Sequence, residues 1–354
     1  MNARERVLNF FHREKLDWVP IDYFSNPLIE QKLMQRLGVS DRMALLRALH
    51  VDFMGIDPVY TGGRLHAERP GYSVSPDMGI VTRWVENAYG GYEDYCVFPL
   101  EEADEDEVAA YPLPSPDDYD YEGALEKCKA LEGQFSLFVG NAGYACFINS
   151  NGFHRGMEQT LVDMITMEPA GLLLAKRRFE LELARLERLL DKCHKYVDFL
   201  WLGEDLGTQH TPLISMDCYR KVIKPWHQKF FDLAGSYNLK TMMHTCGASS
   251  WAYNEMIDMG LDAVDTLQPE AAGMDPQSLK ENFGGRLCFH GCISTAGPVA
   301  YGTEDEVEEN VRETLAIMMP GYEYAFSPTH CLQDNSPVEN VVRMYECALK
   351  YGTY

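Results

Sequence analysis

Residues 239–250 read LKTMMHTCGASS, and this stretch decides how the chain folds. Its first half, Leu239 to Met243, is a short apolar run of strand character that follows a helical pattern. His244 and Cys246 come directly after it, then Gly247 and a serine-rich entry into the next helical pattern. A strand, a sharp turn and a helix start make the repeating unit of an α/β protein, and ligands usually sit at the carboxyl ends of such strands. His-x-Cys puts two soft metal ligands on the turn, but zinc normally takes at least three from the protein. An isolated HxC is ordinarily a buried thiol beside a hydrogen-bonded imidazole. Here the position after a strand, and a second pair at His330–Cys331 in a similar setting, bring a metal site into the reading.

Outward from that stretch the unit repeats. Strand-like runs occupy 135–140, 197–203, 263–267, 286–291 and 322–327, and helical patterns occupy 171–195, 216–236, 249–259, 304–319 and 337–350. Alternation of this kind implies a parallel sheet with crossover helices. Two earlier runs bring the strand count close to eight: Asp17–Phe24, which Pro20 limits to an edge or an entrance, and Val51–Ile56. The spacing predicts an α/β fold, a (β/α)8 TIM barrel forming a single domain over residues 1–354, with an open doubly wound sheet as second choice. No GxGxxG or Walker motif supports a nucleotide fold. Residues 3–13 predict an amphipathic helix, and 28–49 a helix pair broken near Gly38, with Ser40 as N-cap of the second. From about 60 to 120 the chain is irregular and rich in Gly, Pro, Tyr and acids, with β-like pieces at 79–84 and 92–99. This region reads as an insertion or an elaborate cap.

Composition narrows the function. The chain has 354 residues, 46% hydrophobic and 24% charged, with a formal charge of −23. That balance suits a globular protein and argues against nucleic acid or an anionic membrane as partner. No apolar run approaches the roughly 20 residues needed to span a bilayer. The N-terminal stretch MNARERVLNFFHREKLDW lacks a signal-peptide core, so the chain reads as cytoplasmic. Its ten cysteines are scattered without a CxxC, which predicts reduced thiols and no disulfide framework. The acidic run 101–107 reads as a solvated loop or a helix start.

If the fold is a barrel, the residues just past each strand share one mouth, and that mouth is polar. It would collect Asn141, Asn149 and Asn151; Glu204, Asp205, Gln209 and His210; His244 and Cys246; Asp265, Gln268 and Glu270; His290 and Cys292; and His330, Cys331 and Gln333. Imidazoles, thiols and carboxylates together suit zinc or another borderline metal better than magnesium.

These residues sit in motifs that resemble the uroporphyrinogen decarboxylase superfamily. The motifs are ARERVLNFF (3–11) with DWVPID (17–22), GEDLGTQ (203–209), HTCG (244–247), LQPEAAGMD (267–275), LKENFGGRLCFHG (279–291), YGTEDEV (301–307) and SPVENV (336–341). The resemblance spans nearly the whole chain, is weakest from about 60 to 130, and implies a (β/α)8 barrel. The decarboxylases of the superfamily carry an arginine-rich RQAGR segment after the first strand, which grips substrate carboxylates. The matching DYFSNPLIEQKL (22–33) has no arginine, which turns the reading away from uroporphyrinogen. The other branch, the cobalamin-dependent methyltransferases, binds zinc through HxC and a distant cysteine before a PxEN segment. His244 and Cys246 match the first two ligands. Counted back from Pro337, the third position falls on His330, with Cys331 one residue along, and either could complete the site.

The resemblance therefore implies a zinc-dependent methyltransferase that moves a methyl group between a small substrate and the cobalt of a separate corrinoid protein. No DxHxxG corrinoid-binding signature occurs in this chain. The altered third ligand and the aromatic 60–120 region favour O-demethylation of a methoxylated aromatic or another small methyl donor. Glu204 and Asp205 are the expected catalytic residues, to orient substrate, add a ligand or protonate a leaving oxygen, while Asn151, Gln209 and Gln268 are the expected substrate contacts. The rival readings are a methyl-corrinoid:thiol methyltransferase, a decarboxylase of a smaller acid, and a barrel without catalysis. Self-association through the outer helices is common for barrels of this size.

Overall fold

The computed structural model describes residues 1–354. Seven parallel strands form one sheet in sequential order: β1 (Phe53–Gly55), β2 (Ser136–Gly140), β3 (Val197–Gly203), β4 (Lys240–Thr245), β5 (Ala263–Thr266), β6 (Cys288–Ile293) and β7 (Tyr324–Pro328). Each neighbouring pair is parallel. The helices between them match the expected patterns to within a few residues, among them Pro169–Cys193, Lys224–Ser236, Glu304–Met318 and Val338–Tyr351.

The ladder holds seven strands where eight were expected. The expected opening strand, Asp17–Phe24, forms isolated bridges instead of a ladder. Its Asp22 N–H bonds the Phe326 carbonyl of β7 and its Pro20 carbonyl accepts from Phe326, while the Ile21 carbonyl accepts from Asp52 N–H just before β1. Pro20 has no N–H to give, so a regular ladder cannot run through it. Residues 20–22 still touch both edges of the sheet, so the sheet is curled.

The curl shows in what the strands enclose. A cluster of twelve buried residues takes Phe53, Phe138, Phe199, Trp201, Met242, Ala263, Cys288 and Ala325 from the seven strands and Val7, Phe10, Phe11 and Leu16 from the N-terminus. Side chains alternate across a strand with period two, so the residues between these point the other way, into a 72-residue cluster under the outer helices. The helix Ala3–His12 plugs the lower end. Its Phe11 ring lies 5.2 Å from Phe199, and its Arg6 reaches the buried Asp52 at 2.5 Å. This helix begins with a complete capping box, Asn2 with Glu5.

Two local expectations shift by a residue or gain structure. The helix after Gly38 is capped by Asp41, whose carboxylate accepts from Ala44 N–H, and Ser40 only hydrogen-bonds that carboxylate. The second half of the acidic run, residues 104–107, becomes the cap and first turn of the helix Glu105–Ala110, where acids meet the positive end of the dipole. The 60–120 region contains a three-stranded antiparallel sheet, Ser73–Val74, Val81–Asn87 and Gly90–Val97. Its hairpin stands over the rim. Tyr95 stacks on Phe153, centroids 4.1 Å apart, and the turn at Gly90 lies so close to Leu28 and Asp334 that a Cβ there would meet Leu28 at 2.5 Å. All ten cysteines are free thiols, and no helix is long and apolar enough to cross a membrane.

Candidate metal centre

The apolar ring inside the sheet stops before the strand ends. Met242, Ala263 and Cys288 belong to that ring, and the residues two further along the same faces are His244, Asp265 and His290. In register, Asp265 stands beside His244 on the neighbouring strand. Period two thus stacks a polar layer on an apolar one.

That polar layer is a chain of hydrogen bonds. Asp265 Oδ2 lies 2.6 Å from His244 Nδ1 and Asp265 Oδ1 lies 2.6 Å from His290 Nδ1. His290 Nε2 in turn lies 3.1 Å from Asp22 Oδ2. All four side chains are buried. Thr266, held at φ 83°, an outlier for a β-branched residue, brings its hydroxyl 2.7 Å from His244 Nδ1. With Nδ1 occupied, His244 presents Nε2 outward, 3.4 Å from Cys246 Sγ.

Titration in this layer follows from its neighbours. Burial presses the Asp265 carboxyl up, but the His290 charge and the His244 and His290 hydrogen bonds hold it far below the usual carboxylate range. Burial would push His290 down, yet Asp265 and Asp22 raise it to about 10. His244 is likewise raised against burial by Asp265. Burial, then the nearby Asp205 charge, drives the Cys246 thiol up, and burial with the His244 charge lowers His330, favouring the neutral imidazole.

The His290 shift sets an expected pH dependence. A folded-state value near 10 against an ordinary 6.5 means the folded state holds the proton more tightly. Its stabilisation is therefore fully present below pH 6.5 and is lost as pH rises through 10. At about 1.4 kcal/mol per unit, the metal-free protein should lose on the order of 4 kcal/mol across that window. Urea unfolding at stepped pH measures it, and a flat profile in wild type, or an equally steep one in His290→Gln, would contradict the assignment.

His244, Cys246 and His330 form the one group whose ligand atoms all lie within 4.8 Å of one another. His330 faces His244 with ring centroids 6.0 Å apart and is backed by Phe24 at 6.2 Å. Cys331, the other candidate for third ligand, stands outside the group; its Sγ contacts the Leu332 carbonyl at 3.6 Å, and burial raises it to about 11. Ligand atoms around a tetrahedral zinc lie roughly 3.5 Å apart given bonds near 2.0–2.3 Å, so the 3.4 Å separation of His244 and Cys246 suits such an ion. A carboxylate behind a ligating imidazole, as Asp265 is behind His244, is the usual support of zinc-bound histidine.

The other expected site residues hold this turn or lie apart from it. Asp205 accepts from Cys246 N–H at 3.1 Å and from the Asn149 amide at 2.6 Å, with an oxygen 4.0 Å from His244 Nε2. Gln268 accepts from Gly247 N–H at 2.7 Å. Gly247 has φ 69°, and a Cβ there would meet the Gly207 carbonyl at 2.4 Å, so the HTCG and GEDLGTQ loops pack backbone to backbone and only glycine fits. Glu204 is fully buried, its oxygens taken by Phe147 and Ile148 N–H and the Cys146 thiol, and burial raises it to about 7. Asn151 is also fully buried, bonded to the Gly171 carbonyl and Arg178. Gln209 is exposed, with its carbonyl accepting from Ala272 N–H. Sequence reasoning missed Asp22 as the end of the hydrogen-bonded chain; its place at the carboxyl end of the expected first strand was the available signal.

Residues 191–351, which hold β3 to β7 and the whole ligand group, match the model of the uroporphyrinogen decarboxylase (URO-D) family. No curated protein sequence matches the chain. Among solved structures, a methyltransferase from Methanosarcina mazei is similar with a TM-score of 0.68 and 15% identity, covering 99% of this chain and 99% of that one. At that identity the likeness is one of fold.

Proposed function

We propose that this chain, a member of the uroporphyrinogen decarboxylase superfamily, is a zinc-dependent methyltransferase. In this reading it moves the methyl group of a small methoxylated substrate to the cobalt of a corrinoid that a separate protein brings as co-substrate. We also take residues 20–22 as the eighth stave of a barrel whose mouth is the active site. The observation that carries the reading is the His244, Cys246 and His330 group at that mouth. Two imidazoles and a thiol are donors that zinc accepts.

A zinc ion held there supplies Lewis acidity that polarises an ether oxygen. The protein's part is positioning. Asp265 fixes the His244 tautomer so that Nε2 is the free nitrogen, and Asp205 and Gln268 hold the turn that carries Cys246. The donor set carries one thiolate, whereas a set completed by Cys331 would carry two. Less ligand charge leaves more Lewis acidity, which favours oxygen substrates over the activation of a thiol. The absence of arginine from 22–33 weighs against the decarboxylase alternative.

The test is to supply zinc-loaded protein with 4-methoxybenzoate and excess cob(I)alamin and to follow 4-hydroxybenzoate and methylcobalamin. Equal amounts of both, lost on zinc chelation, are expected. Carbon dioxide release without a corrinoid, or no product from any methoxylated arene, would defeat the reading.

A further inference from the structure

A cavity of about 340 Å3 opens beside the ligand group, within the mouth, between residues 22–24, β1, β2 and β3. Its inner wall is aromatic: Phe53, Phe138 and Trp201 line it, with Phe138 and Trp201 edge to face at 5.2 Å. Two of its walls are shared with the ligand group. Trp201 lies 6.5 Å from the His244 ring, and Phe24, also in the lining, lies 6.2 Å from His330.

Three observations define what fits. The volume is at the lower end for ligand pockets, enough for one substituted ring and far too small for four linked pyrroles. The Trp201 indole N–H is buried and has no partner in the protein, although Trp201 is only 6% exposed. A buried donor left unmade costs roughly 1–3 kcal/mol, which an acceptor on a ligand would recover. Finally, the rim carries two cations, Arg42 and Lys127. Arg42 is paired with Glu30. Lys127 donates to the Gly55 carbonyl at 3.1 Å and has no carboxylate within 4 Å. Of the acids in the lining, Asp22 is tied to His290, and Asp57 shares the rim with Lys127. In a chain of net charge −23, an ammonium beside an aromatic slot with no carboxylate in salt-bridge contact is out of pattern.

We propose that this cavity is the substrate subsite and takes a single aromatic ring bearing a carboxylate, with Lys127 as the residue that selects the anion and Trp201 as donor to an oxygen of the ligand. The assignment rests on the methyl-transfer reading for the fate of the ligand, though binding itself requires no metal.

The experiment is calorimetric titration of 4-methoxybenzoate and of neutral methoxybenzene into wild type, Lys127→Gln, Trp201→Phe and zinc-free Cys246→Ser. Wild type and Cys246→Ser should both bind the carboxylate about ten-fold or more tightly than the neutral ether, the scale of one charge-assisted hydrogen bond. Lys127→Gln should erase that preference and leave methoxybenzene affinity unchanged, and Trp201→Phe should weaken both ligands. Lys127 is exposed, so its replacement does not threaten folding. Equal affinities in wild type, a preference that survives Lys127→Gln, or no binding of either ligand would overturn the assignment. Carboxylate-selective binding without methyl transfer would keep the subsite and defeat the function.

Discussion

Asp265→Asn should weaken zinc binding by about 10–100-fold, the usual cost of losing a carboxylate behind a ligating histidine. It should also cost the metal-free protein about 3–5 kcal/mol, because one partner of a buried charge cluster is removed while the others stay buried. Asp265 is the only carboxylate shared by His244 and His290, at 2.6 Å from each. An amide of the same shape can accept from one ring but presents an NH2 group to the other, and it carries no charge to balance His290. The two effects separate. His290→Gln leaves the His244–Asp265 bond in place, so it should lose stability with a much smaller loss of zinc affinity. Competitive titration against a chromogenic chelator reads the first effect and urea unfolding of the metal-free protein reads the second. If Asp265→Asn held zinc as tightly as wild type, the carboxylate would have no hand in fixing His244.

Much of that layer could be read from the chain alone, for a simple reason. Met242 and His244, Ala263 and Asp265, Cys288 and His290 are pairs spaced by two at the ends of strand-like runs. Any parallel sheet that buries the first of each pair puts the second on the same face, nearer the mouth. What could not be read depended on contacts between distant segments. Asp22 joins the chain because residues 20–22 lie across the gap between β7 and β1, and Pro20 hides that segment from a strand pattern. Glu204 and Asp205 are adjacent and chemically alike. Only the fold shows that one is spent under the helix Ile148–Arg155 while the other reaches the ligand turn. The partners of Asn151 and Gln268 were hidden for the same reason: their amides bond groups supplied by other elements, the Gly171 carbonyl and Arg178 for Asn151 and the Gly247 N–H for Gln268. The hairpin pieces were visible as β-like runs, but not their reach to Leu28 and Asp334.

The third ligand is where sequence left two neighbours open, and the expected result here is all or nothing. Wild type purified without chelator should carry near-stoichiometric zinc, and His244→Ala, Cys246→Ser and His330→Ala should each purify with almost none. Cys331→Ser should be indistinguishable from wild type. Zinc held by three protein donors has no spare one, so losing any of them removes a large share of the binding energy. Cys331 stands outside the ligand group by direction more than by distance along the chain: its Sγ turns to the Leu332 carbonyl while the His330 ring faces His244. Metal analysis of the four variants by mass spectrometry decides it, with circular dichroism to show that each is folded. Should Cys331→Ser lose the metal while His330→Ala keeps it, the loop after β7 must turn over when zinc binds. The site would then hold two thiolates and one imidazole, its Lewis acidity would fall, and the chemistry it favours would shift from an ether oxygen to a thiol acceptor.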